Sequence, residues 1–187
     1  MIFHFYLKNT KNINNWDLID LSAPNIVGQH LFNLFARQPR VSDDAQLQIS
    51  KEQSLNSASL SKSRLQSKLQ PTFSSSENGL PRYNNLLPNL AKSENLWERR
   101  IAVLATYQFI KNNKYDLTLK IAKILLYDKE DLIHKAVGWM LREIGKRDLK
   151  TEKEFLKKHS LKMPRVMLRY AIEKFPEKLR QAYLKKD

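Results

Sequence analysis

A spacing of one helix pair runs through the C-terminal half of this chain. Ala102, Ala136 and Ala171 lie 34 and 35 residues apart, and each closely follows a basic residue: Arg100, Lys135 and Arg169. A single helix pair is too thin to bury its own apolar face, so a repeat of this length is stable when consecutive pairs stack and share one core. The expected fold is all-α, an α-solenoid or α-α superhelix. Ala23 fits the same series at a distance, lying 79 residues before Ala102. Subtracting one period leaves a surplus of roughly 45 residues, the size of a segment interrupting a regular array.

Within the period, apolar side chains fall on helical spacing. Leu117, Ile121, Ile124 and Leu125 make one stripe; Leu132, Ile133, Ala136, Val137, Met140 and Leu141 make the next. Behind Ser93, the run from Asn95 to Ile110 reads as one helix, and it is so apolar from Ile101 onward that burial on more than one side is expected. Pro164 and Pro176 bracket a further helix that ends near Phe175, because proline suits a first helical turn and cannot continue a last one. No stretch of useful length alternates as a strand would.

The surplus has its own composition. Between residues 37 and 85, serine occupies positions 42, 50, 54, 57, 59, 61, 63, 67, 74, 75 and 76, together with Pro71, Gly79 and Pro81. Such a segment buries too little apolar surface to offset the entropy of ordering it, and Leu47, Ile49, Leu55, Leu60, Leu65 and Leu69 support at most a transient helix. The organisation read from this is a first helical repeat or repeats over 1–36, a disordered Ser-rich insertion over 37–85, and a helical-repeat array over 86–187.

Charge narrows the partner. The formal balance is +14, and residues 94–187 alone hold 23 basic and 13 acidic side chains. Residues 1–36 are formally neutral, with Lys8 and Lys11 against Asp17 and Asp20. A field of this kind favours nucleic acid, an anionic membrane or an acidic protein. With no cysteine, disulfides, thiolate metal sites and a cysteine nucleophile are excluded, and an intracellular address is consistent. His4, His30, His134 and His159 lack metal-ligand spacing, and glycine occurs only at 28, 79, 138 and 145, which leaves no glycine-rich phosphate loop and no nucleophile elbow. No cofactor or metal is expected. The N-terminus lacks the basic head, long apolar region and cleavage site of a signal peptide, and no run nears the roughly 20 apolar residues that span a bilayer, so the chain reads as soluble, with no membrane partner.

Few residues could carry chemistry. Trp16 and Asp20, in Asn-Asn-Trp-Asp-Leu-Ile-Asp, are four apart and share one helix face, where an indole and a carboxylate would suit a cationic ligand. The same pair could equally be a core tryptophan and a helix cap. Trp139 follows Gly138 inside a helical stripe; an interior glycine costs about 1 kcal/mol against alanine, so something must approach closely there, a packed helix or a ligand. Arg99 and Arg100 are adjacent, so at most one faces any given surface. Lys135, Arg142, Lys146, Arg165 and Arg169 could line one side of a solenoid and bind phosphates.

Four segments, in order, carry a resemblance: Tyr-Leu-Lys-Asn-Thr-Lys-Asn-Ile-Asn-Asn-Trp-Asp-Leu-Ile-Asp; Asn-Leu-Trp-Glu-Arg-Arg-Ile-Ala; Asp-Leu-Ile-His-Lys-Ala-Val-Gly-Trp-Met-Leu-Arg-Glu; and Met-Pro-Arg-Val-Met-Leu-Arg-Tyr-Ala-Ile-Glu-Lys-Phe-Pro. Over residues 2–36 and about 86–184 the chain resembles the AlkD-like DNA alkylation-repair glycosylases, which are built from HEAT-like helical repeats. The resemblance implies hydrolysis of the N-glycosidic bond of cationic N3- or N7-alkylated purines in duplex DNA. It matches the family's catalytic aspartate to Asp20, its two lesion-flanking tryptophans to Trp16 and Trp139, and its phosphate-contacting arginine to Arg100. Lys135, Arg142, Arg165 and Arg169 are expected to add phosphate contacts. It also implies a concave basic surface that grips the duplex backbone without a deep base pocket, and a cytoplasmic, nucleoid-associated location.

Two departures bear on that transfer. Family members carry helical repeats ahead of the matching segment, so the chain is expected to be N-terminally shortened, with apolar surface near Ile2, Phe3, Phe5 and Tyr6 open to self-association or to missing repeats. The Ser-rich block separates Asp20 from Arg100, and the site assembles only if that block loops out. The competing expectation is a catalytically inactive HEAT-like fragment that binds nucleic acid or a protein partner.

Overall fold

The computed structural model describes residues 2–37 and 85–185, and among these the chain is helical with no strand. The array begins with α1 (Ile2–Lys8), a 3-10 turn at Thr10–Asn12, and α2 (Trp16–Ser22). Then α2 continues through a widened π turn, Ala23–Gly28, into α3 (Gln29–Ala36). Downstream lie α4 (Leu86–Leu90), α5 (Leu96–Leu104), α6 (Tyr107–Lys111), α7 (Asp116–Ile124), α8 (Asp131–Gly145), α9 (Leu149–His159), α10 (Arg165–Ala171) and α11 (Glu177–Leu184).

Local chemistry starts the helices where they start. Asn15 accepts from the Asp17 N–H at 2.9 Å, Asn95 from the Trp97 N–H at 2.8 Å, and Asp148 from the Thr151 N–H at 3.1 Å. Each satisfies an otherwise orphaned donor of the first turn, worth about 1 kcal/mol.

The repeat is one of second helices. α2 with its π turn packs on α5, α5 on α8, and α8 on α10, while the first helices α4 and α7 meet each other and α9 packs on α8. Ala102, Ala136 and Ala171 sit on α5, α8 and α10 in turn, and all three are buried, as is Ala23 at the head of the π turn. The period read from sequence is therefore the period of this inner row, and the fold is the expected all-α solenoid. Ile101, Leu104, Ile133, Leu141 and Ile144 are wholly buried along the row. Removing each of these side chains from water contributes about 1.5–3 kcal/mol.

Two details differ from the sequence reading. The expected single helix from Asn95 to Ile110 is broken into α5 and α6, because Thr106 directs both its N–H and its hydroxyl to the Val103 carbonyl, at 3.1 and 2.6 Å, and so competes with the regular ladder. Its burial on several sides holds, with every residue from Ile101 to Ile110 buried except Tyr107, which is half-buried. Of the N-terminal apolar residues, Ile2 and Phe5 are exposed, but Phe3 and Tyr6 are buried, with the Tyr6 hydroxyl 2.9 Å from that of Ser22 on α2. The expected disorder of the 37–85 block concerns positions that, apart from Arg37 and Asn85, lie outside the described residues. No helix among the described residues is long and apolar enough to cross a membrane.

Candidate active site

The last turn of α2 carries Asp20, and Pro24 follows it by four. Proline has no N–H to give the Asp20 carbonyl and its ring crowds that position, so the helix widens there into the π turn. Gly28 closes that turn against the α5–α6 junction, where a Cβ would overlap the Ala105 carbonyl. These contacts fix α2 against α5 and bring Asp20 to Arg100.

The pair is bidentate. Arg100 Nε donates to Asp20 Oδ1 and Nη2 to Oδ2, each at 2.8 Å, and Nη1 donates to the Leu132 carbonyl on α8. Arg100 is only 5% exposed, whereas the Asp20 side chain keeps 17% of its surface open. Three of its five N–H groups are used in this way, and one on each of Nη1 and Nη2 remains. Its neighbour Arg99 turns the other way, binding Asp128 at 2.6 Å and the carbonyls of Ser93 and Glu94.

Around this pair lies a cleft of about 430 Å³ lined by Trp16, Asp20, Arg100, Leu132, Lys135, Trp139, Arg142 and Tyr170. Six of these eight were candidate residues in the sequence. Trp16 stands at its rim, 50% exposed, and so is no core filler. On α8, Leu132, Lys135, Trp139 and Arg142 recur at helical spacing and present one face to the cleft. Trp139 stands one turn before Glu143 on α8. Burial would raise the Glu143 carboxyl, but hydrogen bonds from Lys146, Arg147 and the Trp139 indole outweigh it and hold the group below its ordinary value. Arg142 donates to Glu173, just beyond α10, while its Nε is buried with no partner among the described residues.

Not every expected residue comes to the cleft. Arg165 and Arg169 are exposed on α10 and do not line it; Arg165 instead donates to the Leu184 carbonyl at 3.0 Å. Conversely, Leu132 and Tyr170 were not singled out for the site. Leu132 belongs by spacing to a core stripe, yet it is half-buried at the cleft wall. For Tyr170 the signal was Gly138: a Cβ there would stand 2.5 Å from the Met167 carbonyl oxygen and 2.5 Å from the Tyr170 Cβ. Close helix packing explains the glycine, and that packing brings in the tyrosine. No group of histidine and carboxylate side chains among the described residues could hold a metal ion.

Fold and site together define a helical-repeat protein whose inner row of helices holds a carboxylate, two indoles and several cationic side chains in one cleft. The family model for DNA alkylation repair enzymes matches residues 1–47 and 65–175, and the chain belongs to that family. Its role is thus in the repair of alkylated DNA, and DNA is its partner. No curated protein sequence matches it.

Proposed function

We propose that the chain is a DNA glycosylase that releases cationic N3- or N7-alkylated purines from duplex DNA. The observation that carries this reading is the Asp20 carboxylate, held on both oxygens by Arg100 yet open to a cleft walled by Trp16 and Trp139. Alkylation at either nitrogen places a positive charge on the purine. The C1′–N9 bond then breaks with its electron pair leaving on the base, which departs neutral, and oxocarbenium character develops on the deoxyribose. A fixed carboxylate stabilises that charge where it forms, and one water closes the C1′–O bond and releases a proton.

The other side chains divide the work. Indole faces favour the cationic nucleotide over a neutral one. Arg100 is a positioning residue: it orients Asp20 and balances its charge. Lys135 and Arg142 suit the phosphates on either side. With Trp16 at an open rim, the cleft reads as recognising sugar and charge rather than enclosing an extruded base, the more usual arrangement. The chemistry needs no cofactor, and the partner is duplex DNA carrying an alkylated purine. The test is release of free base from methylated duplex by the wild-type chain beside Asp20→Asn; equal release by the two would remove Asp20 from the mechanism.

A further inference from the structure

Tyr170 is not among the residues the sequence brought forward, and the roles above do not use it. It is half-buried, lines the cleft, and makes no hydrogen bond or ring contact with any described residue. A tyrosine in that position usually finds a partner for its hydroxyl. The fold makes room for it at some cost: Gly138 gives up helix propensity on α8, and in exchange the Met167 carbonyl and Tyr170 Cβ of α10 come within 2.5 Å of where a Cβ would sit.

Position along the array tells which part of a ligand it meets. The inner row runs α2, α5, α8, α10, so Asp20 and Arg100 lie on one flank of α8 and Tyr170 on the other. On Tyr170's flank is Arg142, which bonds Glu173 three residues past Tyr170, and Lys135 stands on the same cleft-facing stripe. That end of the cleft carries Lys135 with no ionic partner among the described residues, Arg142 shared with Glu173, and a neutral donor, and the uncompensated cation beside the hydroxyl suits an anion. Resting on the glycosylase reading, we propose that Tyr170 is a DNA-backbone contact, its hydroxyl donating to a phosphate oxygen of the strand seated against Lys135 and Arg142, with Gly138 as the residue that lets it reach.

A neutral donor has a signature that a cation lacks. Losing a hydrogen bond to a charged phosphate oxygen weakens binding by roughly tenfold or more. It releases no counterion, so the dependence of affinity on salt keeps its slope, whereas losing a lysine contact lowers the slope by about 0.9. The experiment is equilibrium binding of Tyr170→Phe and wild type to unmodified duplex and to an abasic-site duplex over a salt series, with base release at saturating DNA. Tyr170→Phe is expected to bind both duplexes more weakly with an unchanged slope, and Gly138→Ala to lose at least as much affinity. Wild-type affinity in Tyr170→Phe overturns it, and so does a changed slope. Absence of base release from a wild-type chain that binds duplex would sink the glycosylase reading alone; failure of that chain to bind duplex would sink both.

Discussion

At the scale of single residues, the Asp20–Arg100 pair joins stability to chemistry. Arg100 is buried, and its guanidinium is satisfied by Asp20 and the Leu132 carbonyl together. Removing one member of such a pair leaves a charge without its partner in a low-dielectric setting. Asp20→Asn is therefore expected to lower folding stability by about 3 kcal/mol, read by denaturant unfolding, as well as to abolish base release. A variant with wild-type stability would mean that the pair contributes nothing to the fold. The candidate site was partly visible in the residue string: Trp16, Asp20, Arg100, Lys135, Trp139 and Arg142 were singled out and share a cleft. The bond between Asp20 and Arg100 was not visible, because 80 residues separate them and spacing on one helix says nothing about a partner on another. Arg165 and Arg169 lie outside this cleft, a placement that depends on helix packing and that helical spacing does not give.

At the scale of elements, helix junctions decide geometry. The break between α5 and α6 depends on how Thr106 uses its side chain, which the apolar pattern around it conceals. The α8–α9 contact buries a carboxylate: Glu152 is 1% exposed, one of its oxygens has no partner among the described residues, and its other oxygen lies over Gly145. Burial pushes its carboxyl up to about 8, with Arg142 opposing. The folded state thus holds a proton that the unfolded chain releases near its ordinary value. Stability should be highest below the unfolded value and fall as pH rises from about 4.5 toward 8, because over that window the folded state binds more protons. Glu152→Gln keeps the shape without the titration, so it should flatten this fall and add on the order of 3 kcal/mol at pH 7 in denaturant unfolding. A variant with the same pH dependence as wild type would show that Glu152 titrates normally.

At the scale of the whole molecule, the solenoid turns a chain-wide period into one surface. The alanine spacing was legible because stacked pairs repeat their tightest contacts, and the same row of second helices that buries Ala102, Ala136 and Ala171 carries the cleft on its open side. The formal charge of +14 sets up attraction to DNA at long range, but only cations near phosphates release counterions. Arg100 spends its charge on Asp20, while Lys135 has no ionic partner among the described residues. Lys135→Gln should therefore weaken duplex binding and lower the salt slope by about 0.9, measured by titration at several salt concentrations. An unchanged slope would mean that the duplex lies elsewhere. Above all, base release tests the account: purified chain and Asp20→Asn, each checked for folding, are incubated with methylated duplex and the free bases are separated. The wild type is expected to release 7-methylguanine and 3-methyladenine and the variant neither; equal release from both, or none from a folded, DNA-binding wild type, would contradict catalysis by Asp20.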